Sequence, residues 1–188
     1  MTDRTSLPAK PPVPEDNGAV DDLPGARMPC LELHGTRDVT VCLDTLGAGR
    51  TVIYVYPLTG RPDTDMPDGW DAIPGARGCT AEACSFRDHH QDLVAAGATR
   101  VFGLSSQHTD YQREVVGRLH LPFQMLSDPT LGLARTLGLP TFESSGLVLY
   151  KRLTLIVRIG LIEQIFYPVS HPEEHADQVL TWLQENPL

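Results

Sequence analysis

Cys79 and Cys84, in the segment Gly78-Cys-Thr-Ala-Glu-Ala-Cys84, are the residues of this chain best suited to do chemistry. Cys79 follows a glycine and falls where a helix is predicted to begin. The first backbone N–H groups of a helix have no internal partner and carry partial positive charge. A thiolate placed there is stabilised, its pKa falls, and it becomes a good nucleophile at neutral pH. Gly78 allows the backbone to approach closely. In a regular helix, Cα atoms at the spacing of Cys79 and Cys84 lie roughly 8.6 Å apart, whereas a disulfide needs them within about 7 Å. A disulfide between them therefore requires at least one turn to unwind. This predicts two states, one reduced and folded, the other oxidised and locally melted.

Plainer readings stand beside this one. Free cysteine is often a small buried packing residue, and both positions fit that description. Zinc ligation suits the spacing poorly, because ligand pairs usually sit two to four residues apart and no His-x-x-x-His partner follows. The spacing also excludes the Cys-x-x-Cys arrangement of a dithiol oxidoreductase. Cys30 and Cys42 read as packing residues. The seven histidines are scattered and read as surface or boundary residues, although His89 and His90 share the cysteine helix and could lie near its pocket. Trp70 is either a lid or an anchor for the loop that holds it.

The elements that would position Cys79 can be read from the pattern on either side. Residues 51–56, Thr-Val-Ile-Tyr-Val-Tyr, form a β-branched and aromatic run ended by Pro57, as in a buried central strand. Residues 58–74 are rich in Pro, Gly and Asp and predict a long loop. Phe86, His90, Leu93, Val94 and Gly97 then share one helical face, with Gly97 at the C-cap. Further strands are predicted at 99–105, 123–126, 146–150, 153–159 and 161–167, the last two pairing about Gly160. Helices are predicted at 109–119, after the Ser127-Asp128-Pro129 turn, and at 172–183. Short strands near 31–33 and 39–43 predict an N-terminal hairpin. This order predicts an α/β, thioredoxin-like fold with a central mixed sheet flanked by helices and an N-terminal hairpin extension.

Composition narrows the function classes. The chain has 188 residues, enough for one domain with a real core, and a net charge of −9. No Lys/Arg block is present, so nucleic-acid binding through a basic surface is not expected. No apolar run is long enough to cross a bilayer, and the N-terminus lacks a secretory pattern. A cytoplasmic protein is expected. Residues 1–24 are proline-rich and aperiodic and predict a disordered leader, with the folded domain at 25–188.

The segment Gly78-Cys-Thr-Ala-Glu-Ala-Cys84-Ser-Phe-Arg-Asp88 resembles the active-site helix of Q-type peroxiredoxins, also called bacterioferritin comigratory proteins. Val55-Tyr-Pro57, the run from Phe123 to Pro129 and the strand that opens at Arg152 resemble further family segments. The resemblance covers about residues 28–183. It implies that Cys79 is the peroxidatic cysteine, whose thiolate attacks a peroxide and becomes a sulfenic acid. Cys84 would be the resolving cysteine, forming an intramolecular disulfide that thioredoxin or a similar dithiol reduces. Arg152 would hold the thiolate and polarise the peroxide, and Gly78, Thr80 and Arg77 would border the substrate. It further implies a peroxide substrate, no cofactor, and a monomer or homodimer.

Two places depart from the family pattern. Ala76 stands where the family has a threonine whose hydroxyl contacts the peroxide, and losing one preorganised donor can cost roughly 2.7–4 kcal/mol of transition-state stabilisation. The loop over 58–73 is longer than the family's tight turn. Thr59, Thr64 or Thr80 could supply the missing hydroxyl, or Arg77 part of its task, or the chemistry has shifted. Other functions consistent with the sequence are an oxidoreductase acting on a small-molecule thiol or other metabolite, and a non-enzymatic redox sensor switched by helix melting.

Overall fold

The computed structural model describes residues 12–188. Its strands are β1 (Glu32–Gly35), β2 (Thr40–Cys42), β3 (Arg50–Val55), β4 (Ala98–Ser105), β5 (Gln124–Ser127), β6 (Thr141–Ser144), β7 (Leu147–Tyr150), β8 (Leu153–Arg158) and β9 (Leu161–Phe166). The helices are α1 (Cys79–Asp88), α2 (His90–Ala95), α3 (Thr109–Leu119), α4 (Gly132–Leu137) and α5 (His175–Glu185). Seven strands form one mixed sheet in the order β2-β1-β5-β4-β3-β8-β9, and β6 and β7 make a separate hairpin. β3 runs parallel to β4 and antiparallel to β8.

Strand β3 is central because its sequence is apolar on both faces, as parallel packing between helical layers requires. Val52, Tyr54 and Tyr56 join α1, α2 and α5 in one core, whereas Ile53 and Val55 join α4 and the N-terminal segment in the other. Aromatic contacts fix α1 on the sheet. Tyr54 stacks on Phe86 at 4.4 Å between ring centroids, and the edge of His175 meets Phe86 at 5.8 Å. His175 is fully buried and its Nε2 lies 2.8 Å from the Thr154 hydroxyl. Burial lowers its pKa to about 4, so it packs as a neutral ring rather than as the surface residue expected from sequence.

The thioredoxin-like expectation holds, with four differences of detail. The helix predicted to continue to Gly97 breaks at His89 (φ −92°, ψ 3°) into α1 and α2, and Val94 is exposed. The strand predicted at 146–150 leaves the main sheet to pair with β6, which the sequence pattern did not suggest. Residues 12–24, assigned by composition to the disordered leader, touch the domain through Val20 and through Asn17, whose Oδ1 accepts from Tyr167 Oη at 3.2 Å, and are otherwise largely exposed. Val20 is 7% exposed in the core, and Gly25 N donates to Ile162 O at 2.8 Å. One well-placed valine docks a segment whose composition is otherwise poor in apolar residues, just before residues 25–27 pair with β9. Residues 1–11 lie outside the described residues. Finally, Cys30 is exposed and Cys42 half-buried, so neither is a core packing residue.

Gly103 lies beneath the Tyr54–Phe86 stack. A Cβ there would sit 2.5 Å from Met125 Sδ and 2.7 Å from Tyr54 Cζ. Replacing Gly103 with Ala is expected to lower stability by about 1–3 kcal/mol through overpacking, measured by urea denaturation. A midpoint equal to wild type would show that this contact does not position α1.

Candidate active site

Cys79 is the first residue of α1, as the sequence predicts. Gly78 before it is in the left-handed region at φ +96°, and a Cβ there would lie 2.3 Å from Pro172 Cγ. Glycine is thus required for conformation as well as for space. Loop 58–78 closes the approach and is anchored rather than free. Trp70 is 5% exposed and packs with Ala76 and Leu149, its ring 6.0 Å from that of Phe142 on the β6–β7 hairpin. Trp70 therefore anchors its loop. At the start of the loop, Thr59 N and Oγ1 both donate to Gln107 Oε1, at 3.0 and 2.9 Å.

Arg152 enters from the junction of β7 and β8, and its Nη2 lies 3.1 Å from Cys79 Sγ. The same nitrogen donates to Arg77 O at 3.0 Å, and Nη1 forms an ion pair with Glu82. Cys79, Glu82 and Arg152 are all buried. One guanidinium therefore serves two buried acids. Burial is the largest influence on Glu82 and raises its carboxyl to about 7, against the pull of Arg152. Among the described residues, Glu82 Oε1 finds no hydrogen-bond partner, as suits a carboxyl that titrates near neutrality.

The thiol departs from the sequence expectation. Burial pushes Cys79 above its ordinary value, and the Glu82 carboxylate adds to the rise. Arg152 and the Leu58 amide act in the opposite direction without cancelling it. Acidification by the helix start alone takes no account of the desolvation that accompanies a closed pocket.

Other predicted residues are placed as follows. Cys84 lies half-buried on the same unbroken ten-residue helix and is not bonded to Cys79. The Arg77 side chain is about half exposed and pairs with Asp71 at 3.3 Å, so only its carbonyl reaches the site. Thr80 and Thr64 are exposed, and the Thr59 hydroxyl is committed to Gln107. No threonine hydroxyl among these three replaces the one missing at Ala76, which is fully buried beside Trp70. His89 and His90 lie past the far end of α1, about 15 Å along its axis from Cys79. Glu82 was missed as a candidate. Its one signal was its spacing, a single turn after Cys79 on the same helical face.

A mixed sheet with a buried cysteine opening a helix beside an arginine defines a thioredoxin-like thiol protein. The Redoxin family profile matches residues 23–180, and the chain belongs to that family. It is 26% identical over 160 residues to the chloroplastic peroxiredoxin Q of Suaeda salsa, covering 85% of this chain and 67% of that one. The chloroplastic peroxiredoxin Q of Sedum lineare is also 26% identical, with 77% of its length covered. Among solved structures, peroxidoxin BcpB of Mycobacterium tuberculosis superposes with a TM-score of 0.69 at 22% identity, covering 88% of this chain and 99% of its own. Xanthomonas campestris peroxiredoxin Q gives 0.67 at 20% identity, covering 94% and 98%. These similarities support the Q-type resemblance read from the cysteine helix.

The shared guanidinium generates a prediction with a sign. The folded-state pKa of Glu82 is raised above its ordinary value of 4.5 to about 7. Between those values the folded protein holds a proton that the unfolded chain has released, so this group makes stability fall as pH rises through the window. Glu82→Gln is expected to remove that slope, measured by urea denaturation from about pH 5 to about pH 8. An unchanged slope would show that Glu82 titrates normally. The same variant is expected to lower the Cys79 pKa, followed by thiolate ultraviolet absorbance in a Cys30, Cys42 and Cys84 to Ser background, because a negative neighbour is gone.

Proposed function

We propose that this protein is a thiol-dependent peroxidase that reduces hydrogen peroxide or organic hydroperoxides. The observation that supports this most directly is Arg152 Nη2 at 3.1 Å from Cys79 Sγ, inside a buried pocket at the start of α1. The peroxiredoxin Q relatives support the same reading. The Cys79 thiolate attacks one peroxide oxygen. The S–O bond forms as the O–O bond breaks, and water or an alcohol leaves with the proton that the thiol gave up. Arg152 stabilises the ionised sulfur and then the charge that builds on the leaving oxygen. The Leu58 amide acts on the same sulfur. With alanine at position 76, these two donors carry a task that the family shares with a threonine.

Cys84 completes the cycle in this reading, as an atypical two-cysteine mechanism. Its sulfur attacks the Cys79 sulfenic acid, the S–S bond forms, and water leaves. The intact α1 holds the two Cα atoms roughly 8.6 Å apart, so the first turn must unwind, leaving Gly78 and the contacts of Arg152. A dithiol reductant of the thioredoxin type then exchanges with the disulfide and is itself oxidised.

The test is to treat reduced protein with stoichiometric hydrogen peroxide, add a sulfenic-acid trap, and read intact mass. Cys84→Ser is expected to accumulate the trapped adduct, Cys79→Ser to give none, and wild type to form the internal disulfide. Oxidation of Cys79→Ser as fast as wild type would end the peroxidase reading. Arg152→Met is expected to slow Cys79 oxidation by at least about 100-fold, from loss of one charge-assisted donor in a buried site, measured by stopped-flow peroxide consumption.

A further inference from the structure

At the opposite end of the sheet from Cys79 lies a groove of about 630 Å³, between the β1–β2 hairpin, the start of β4, the segment before β5 and the start of α2. None of its fourteen lining residues is acidic, in a chain whose net charge is −9, and one carboxylate beside them, that of Glu32, accepts from the lining Cys42 at 3.5 Å. Arg37 and Arg100 both line it. Eight other arginines pair with a carboxylate: Arg50, Arg61, Arg77, Arg87, Arg113, Arg118, Arg152 and Arg158. Among the described residues, Arg37 and Arg100 have no carboxylate within 4.0 Å, as is true also of Arg27 and Arg135, which do not line the groove. Two guanidiniums without acid partners therefore share one groove and keep their charge free for an anion.

Both guanidiniums are held in place. Arg37 Nη2 donates to Pro122 O at 2.7 Å, and Arg100 Nη1 donates to Leu46 O. Each spends one donor on the backbone and keeps the rest of its planar fork, the geometry that recognises phosphate oxygens. His90 and Phe123 line the same groove, their rings 5.8 Å apart and tilted by 34°. Burial, and then the charge of Arg37, lower the His90 pKa, so this ring is a neutral flat surface with Arg37 close by.

We propose that this groove binds a phosphate monoester, its dianionic group between Arg37 and Arg100 and its planar body against His90, which the buried Phe123 backs from the core. The site is independent of the reaction at Cys79. β3 and β4 run parallel. The groove is at the start of β4, whereas Tyr56 N meets Leu104 O at the end of β4 beside the cysteine helix.

The test is titration of the reduced full chain, followed by amide chemical shifts, with inorganic phosphate, phenyl phosphate and adenosine monophosphate in separate arms up to about 10 mM. Saturable shifts at residues 37–46, 90 and 99–102, with phenyl phosphate or the nucleotide binding at least about tenfold tighter than inorganic phosphate, are the expected result. Affinity is expected to weaken as salt rises. The Arg37→Ala/Arg100→Ala variant is expected to lose at least about tenfold in affinity, with Arg135→Ala on α4 as a folded control that retains it. Which of the two esters binds tighter separates an aromatic phosphate from a nucleotide. Absence of saturable shifts, equal binding of inorganic phosphate, shifts confined to other regions, or unchanged affinity in a folded double variant would each overturn the proposal. Should the double variant not fold, the wild-type shift map and salt dependence decide alone.

Discussion

Arg152 carries a single positive charge into a buried cluster, where it meets a thiol and a carboxyl that both compete for it. A cation buried this deeply is costly unless paired, so its position depends on both partners. The two acids are also coupled through it. A proton on Glu82 leaves the guanidinium freer to stabilise a Cys79 thiolate, whereas an ionised Glu82 divides its attention. Reactivity at the sulfur is therefore a property of three groups and not of the helix start alone.

The surrounding fold keeps these three groups in register. Glu82 and Cys79 lie on consecutive turns of α1, and α1 is pressed onto β3 by the Phe86–Tyr54 stack. Arg152 arrives from the segment preceding β8, which pairs with the other edge of β3. One strand therefore references both sides of the site. The long loop after β3 adds a roof, tied at its start by Thr59 and Gln107 and further along by Trp70 on the β6–β7 hairpin.

Much of this was legible in the chain, for identifiable reasons. The strand at 51–56 and the helix start at Cys79 are written in local pattern, through β-branched residues, a terminal proline and a glycine before the cysteine. The link to Arg152 was legible only through the family resemblance, because it spans a large sequence separation. The break at His89, the detachment of β7 from the main sheet and the docking of Val20 depend on tertiary partners, which periodicity does not encode. The direction of the thiol shift was misread because helix-end electrostatics are local whereas desolvation is set by the whole roof. Glu82 escaped notice for the same reason.

The four thiols differ in the sign of their surroundings. Cys79 lies beside Arg152, and Arg87, held charged foremost by Asp88, also interacts with Cys84. Cys30, just before β1, and Cys42, on β2, have carboxylate neighbours and no guanidinium to offset them. The charge of Asp44 raises the Cys30 pKa, and a hydrogen bond to Glu32 raises that of Cys42. Carboxylates thus crowd the two N-terminal sulfurs with no countering cation, whereas each cysteine of α1 has a guanidinium at hand.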